Sequence, residues 1–134
     1  NKMTIDVEFS IVGNTEDLKT NDIKINFFGF EDNVSELIKI YDNHNITILP
    51  SFTEAHPKVV DESLARLRPV IVFEEIKHII QDRQGLFVSK RNAAALSETI
   101  KFIMNNYSNI QENTKKNKLP TKQEFISQFT QILS

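Results

Sequence analysis

The chain has no cysteine and no tryptophan among its 134 residues. Without cysteine it can form no disulfide and no thiolate metal site, and it fits a reducing compartment; a cytoplasmic setting is the expectation. Its aromatic residues are ten Phe and two Tyr, so rings are expected to fill a core rather than to line a carbohydrate-binding surface. No stretch approaches the roughly 18 apolar residues of a membrane-spanning helix, and no signal-peptide pattern occurs. Charge of one sign is also lacking. Sixteen Lys and Arg against eighteen Asp and Glu leave a formal net charge of −2, no electrostatic reason to expect nucleic acid or an anionic membrane as a partner.

What is present is ordinary for a globular domain: 40% hydrophobic and 25% charged residues, in a length that suits one apolar core. The first apolar run, Met3 to Val12, begins almost at once, as expected of a piece taken from a longer polypeptide. Ile5, Val7, Phe9 and Ile11 alternate with polar residues, which predicts a strand stopped by Gly13. Residues 15–22 are read as a turn or a single helical turn. A second strand is predicted over Ile23 to Phe28. Asn33-Val-Ser-Glu36 has the form of a helix N-cap with a Glu three residues on, opening a helix to about Asp42 with Leu37, Ile38 and Tyr41 inward. Further strands are predicted at Ile46–Leu49, Pro69–Phe73 and Leu86–Val88. Helices are predicted from Pro57 to Arg66, Glu75 to Ile80 and Asn92 to Tyr107.

Strands thus alternate with helices, and several strands are short and wholly apolar. That pattern predicts an α/β, Rossmann-like domain with a mainly parallel sheet covered by helices on both faces. Residues 1–107 form its expected core. Residues 108–134 are expected to be a polar, Lys-rich linker followed by an amphipathic helix bearing Phe125, Ile126, Phe129, Ile132 and Leu133, opened by a capping box at Thr121 and Glu124.

The chemistry-bearing stretch is Leu49 to Ile71: a buried strand, a loop and a helix that begins beyond the strand's carboxyl end. Ligands of open α/β sheets bind in that crevice, and a helix N-terminus there suits a phosphate. Lys58 and Glu62 lie together on one flank of the helix, beside a sheet-facing stripe of Val59, Val60, Ser63, Leu64 and Leu67. A cation opposes the helix dipole at that end, and the Lys-then-Glu order is the weaker one, so a bound anion would rationalise the placement. Glu54 precedes the helix, and both carboxylates could accept hydrogen bonds from sugar hydroxyls. Two solvated glutamates are the plainer reading of the same residues.

The segment resembles the E-x7-E signature of retaining, group 1 glycosyltransferases of GT-B fold. Pro50, Ser51, Glu54, Pro57, Val59, Glu62, Ala65 and Pro69-Val-Ile71 match it, and Ile11-Val-Gly13, Phe28-Gly29 and Gly85-Leu-Phe-Val88 flank it in the family's order. The resemblance covers about three quarters of the chain. It implies the donor-binding half of such an enzyme, transferring a sugar from a nucleotide-diphosphate sugar to a glycan or lipid-linked acceptor, with cell-surface polysaccharide synthesis the expected setting. Glu54 would bind the donor sugar as the catalytic carboxylate, and Glu62 the ribose. Backbone around Ala55, His56, Pro57, Lys58 and Val59 would hold the diphosphate. Gly13 would let a loop approach the donor, and Phe30 would lie near the base. No metal or other cofactor is implied. The acceptor-binding domain would lie upstream of residue 1, and peripheral membrane association would concern only the full-length enzyme; the chain alone is expected to be inactive.

Some positions depart from the signature. Ala55 and Leu67 stand where glycines are usual, so the turn after the helix is expected to differ. His56 would donate to a phosphate or cap the helix. The glycine pair after Pro69-Val-Ile71 is replaced by Phe73-Glu-Glu-Ile-Lys77; Lys77 could contact the donor, a surface Lys being the plainer reading, and His44 and His78 are read as surface or boundary residues. The alternatives are a non-catalytic nucleotide- or phosphate-binding module of the same fold and a protein-interaction domain acting through its last helix. Loss of nucleotide-sugar binding but not nucleotide binding on Glu54→Ala would separate the first from a transferase.

Overall fold

A computed structural model describes residues 6–13, 25–119 and 121–133. The predicted strand residues before Asp6, the turn at 15–22, the start of the second strand at Ile23, and the side chains of Glu124, Phe125 and Phe129 lie outside the described residues.

Strands β1 (Phe9–Val12) and β2 (Ile25–Gly29) form one parallel ladder. Strands β3 (Thr47–Leu49), β4 (Val70–Phe73) and β5 (Leu86–Ser89) form a second, also parallel, with β4 in the middle. The central strand is the reason for the layered architecture. Val70, Ile71 and Val72 are wholly buried, which requires cover on both faces. Val70 and Val72 join Leu49, Val60, Leu64, Ile76, Ile79 and Leu86 on one side. Ile71 points the other way, into Ile100, Ile103 and Ile110.

Helix α1 (Val34–Asp42) starts where predicted: the Asn33 side chain accepts the Glu36 N–H at 3.2 Å. Its inward side chains are only half-buried, and Ile38 is exposed. Helix α2 (Lys58–Ala65) covers the first face of the second sheet. Pro57 is its N-cap, with extended backbone, rather than its first helical residue. The stripe facing the sheet is Val60, Ser63 and Leu64; Val59, expected to join it, is exposed. Helix α2 ends with the N–H of Arg68 donating to Ser63 O at 2.9 Å and that of Leu67 to Leu64 O at 2.9 Å. That is a Schellman stop, normally built on glycine, and Leu67 adopts its left-handed φ of 55°. The turn expected to differ is therefore kept, because two orphan carbonyls and the packed helix outweigh a strain of about 1–2 kcal/mol.

A 3-10 helix (Glu74–Ile79) follows β4 where a glycine pair was missing, and it buries Ile76 and Ile79. Helix α3 (Ala93–Asn105), capped by Asn92, covers the second face. The supposed linker is helical over its first half. Helix α4 (Tyr107–Thr114) breaks from α3 at Asn106 and buries Ile110 and Thr114. Two buried side chains in eight residues were too few to register as periodicity, and they matter only because the sheet lies beneath them. Helix α5 (Lys122–Leu133) forms as predicted, with Ile126, Ile132 and Leu133 exposed. Among the described residues no helix is long and apolar enough to cross a membrane.

Candidate functional site

Because β3, β4 and β5 run parallel, their carboxyl ends lie along one edge. There the 50–57 loop, the 3-10 helix and the turn at 90–92 come together. Glu54, half-buried in that loop, accepts a hydrogen bond from Ser51 Oγ at 2.8 Å. Its backbone carbonyl is held from the 3-10 helix by His78 Nε2, which donates at 2.8 Å. His78, read as a surface or boundary residue, is exposed and also ties the 3-10 helix to the loop.

Glu62, in the second turn of α2, accepts from Tyr41 Oη of α1 at 2.9 Å. Burial, then that hydrogen bond and the Glu62 charge, hold the Tyr41 phenol well above its ordinary pKa, so it remains a donor. Lys58 lies 3.8 Å from the other Glu62 oxygen but is itself almost wholly exposed. An ionised carboxylate accepts about four hydrogen bonds. Each Glu therefore keeps capacity beyond the hydroxyl that orients it.

The N-terminus of α2 has no side-chain cap, and its first turn places the N–H groups of Lys58 and Val59 outside the intrahelical ladder. Ala55 and His56 are exposed, and Pro57 is buried. His56 does not cap the helix. Its Nε2 meets Asp61 Oδ2 at 2.8 Å, and Asp61 Oδ1 accepts from Arg83 Nη1 at 2.9 Å. This His56–Asp61–Arg83 chain was not anticipated, because Arg83 arrives from a loop more than twenty residues away.

Gly13 and Phe30 belong to the other ladder. Gly13 closes β1 with φ of 135°, its N–H donating to Gly29 O at 2.7 Å, and Phe30 is 81% exposed just beyond β2. Helix α1 links that ladder to the Glu segment. His44, just beyond the helix, meets Ser10 Oγ at 2.6 Å and Ile40 O at 2.6 Å, while Tyr41 reaches Glu62. His44, half-buried as a boundary residue, bridges the two elements; Lys77 is exposed, as read. A cleft of about 720 Å³ is lined from β1, β2, β3 and α3, with Phe9, Phe28, His44, Ile48 and Met104 among its walls; no residue of the 54–62 segment lines it. Among the described residues no cluster of His, Asp or Glu has the form of a metal site.

Arg91, also missed, is the most connected side chain of this edge. Its Nε and Nη2 reach Glu75 at 3.0 and 3.4 Å, Nη1 reaches Pro50 O at 3.0 Å and Nη2 reaches Ser51 O at 3.3 Å. Its position just past the carboxyl end of β5 was the available signal.

Helices cover both faces of the parallel sheet, and the E-x7-E segment lies at the carboxyl ends of its strands. The family of group 1 glycosyl transferases matches residues 1–106, and the chain belongs to that family. Sucrose-phosphate synthase from Thermosynechococcus elongatus is similar in structure, with a TM-score of 0.65 at 21% identity over 82% of this chain. The match spans 29% of that enzyme, and at such identity it establishes the GT-B-type fold. A search of curated proteins returns no match.

Proposed function

We propose that this chain is the donor-binding half of a retaining glycosyltransferase. It would bind a nucleotide-diphosphate sugar and deliver the sugar to an acceptor held by the rest of a longer enzyme. A glycan or lipid-linked acceptor, in cell-surface polysaccharide synthesis on the cytoplasmic side, is the setting we infer. The observation behind the reading is the pair Glu54 and Glu62, each oriented by one hydroxyl, set around the uncapped N-terminus of α2.

In this reading the N–H groups of Lys58 and Val59 and the positive end of α2 hold the diphosphate, together with the loop backbone at Ala55, His56 and Pro57. Glu62, kept in place by Tyr41, accepts from the ribose hydroxyls. Glu54 accepts from the hydroxyls of the donor sugar. Gly13 and Phe30 take the sides facing the diphosphate and base. Departure of the nucleoside diphosphate is then favoured electrostatically by the helix end, with no metal required of the protein.

Titration of the chain with UDP, GDP and several nucleotide sugars, followed by NMR shifts, tests the reading. Perturbations should cluster at residues 54–62 and be stronger for one nucleotide sugar. Charge-assisted hydrogen bonds contribute about 1.5–3 kcal/mol, so Glu54→Ala should weaken nucleotide-sugar binding by about tenfold or more while nucleoside diphosphate binding stays within about twofold. Equal loss for both ligands would assign the site to nucleotide alone and remove the case for sugar transfer.

A further inference from the structure

We propose that Arg91 is the positioning residue for Glu54, clamping the 50–54 loop so that the Glu54 carboxylate has one fixed orientation. What Glu54 does rests on the donor-site reading above; what Arg91 does to the loop rests on geometry. The loop between β3 and α2 has no regular secondary structure, so its backbone must be held by other means. Arg91 supplies two of those bonds at adjacent carbonyls, Pro50 O at 3.0 Å and Ser51 O at 3.3 Å. Ser51 is the residue whose hydroxyl holds Glu54. The guanidinium carbon also lies over the Phe52 ring, 3.9 Å from its centroid, and over that of Phe73 at 4.3 Å.

Three consecutive loop residues before Glu54 are therefore tied to one planar cation. That cation is in turn anchored on Glu75, whose carboxyl it holds below the usual carboxylate range. Phe52 is 65% exposed, so burial alone does not fix it. The clamp spans the edge from the exit of β3 to the exit of β5, across β4. Lysine cannot replace it: an ammonium is a point charge and lacks the flat fork that reaches two carbonyls, a carboxylate and two rings at once.

The test compares the wild-type chain with Arg91→Lys and Arg91→Ala. In the ligand-free protein, amide exchange at residues 51–55 should rise about tenfold in both variants and the Glu54 carboxyl carbon resonance should shift. Amides of β4 should keep their wild-type protection. With ligands, nucleotide-sugar affinity should fall about tenfold and nucleoside diphosphate affinity should hold. Arg91→Lys behaving as wild type at the loop and at Glu54 would overturn the proposal. So would an equal rise in exchange across β3, β4 and β5, which marks a general loss of stability. If the wild-type chain binds no nucleotide sugar, the donor-site reading fails, and the ligand-free arm still decides the role of Arg91.

Discussion

Gly85 joins three layers through one backbone torsion. Its carbonyl accepts from Val70 N–H at 2.8 Å as β5 begins, and its φ of 88° lies in the left-handed region. A Cβ there would stand 2.6 Å from Thr114 Oγ1 of α4 and 3.0 Å from Leu64 Cδ2 of α2. Strain and overlap act in the same direction, so Gly85→Ala should destabilise the chain by about 2–4 kcal/mol, measured as a fall in the urea midpoint. Adding Thr114→Ala should recover part of the overlap but none of the torsional strain. An unchanged midpoint in Gly85→Ala would mean that α4 does not close on this glycine. Leu67 is the counterpart. It occupies a glycine's conformation without being glycine, and only the bonds of Leu67 and Arg68 back to α2 identify it.

Among the elements, α4 separates what pattern can reveal from what packing decides. Ile110 is 7% exposed and belongs to the cluster on the Ile71 face of the sheet. Ile110→Ala should therefore cost about 2–4 kcal/mol in chemical denaturation, the range for truncating a buried Ile. A cost near zero would restore the reading of a solvated linker. In contrast, β4 was legible because an unbroken run of Pro69-Val-Ile-Val-Phe73 has no solvated face to offer. Helix α1 was legible for a local reason: the Asn33 cap acts within its own turn. The segment carrying Glu54 and Glu62 was legible as a motif. Its supports were not, because Tyr41, His78 and Arg91 reach it from other elements.

At the scale of the whole molecule, the described residues provide, in the proposed reading, one wall of a site along the carboxyl edge of a parallel sheet. Transfer between two substrates requires that water be excluded and both reactants be oriented, which one open wall does not achieve. The isolated chain should therefore show no sugar transfer from any nucleotide sugar in a product assay, while still giving ligand-induced shifts at residues 54–62. Turnover above the uncatalysed rate would mean that these residues complete the site. The order of strands and helices, the double-sided burial of β4 and the acidic pair were determined by the sequence, since periodicity, caps and spacing act over a few residues. Tertiary structure decided the left-handed Leu67, the helical 107–114 stretch, the His56–Asp61–Arg83 chain and the Arg91 clamp. Each depends on contacts between residues distant along the chain, and those free energies exist only once the layers have closed.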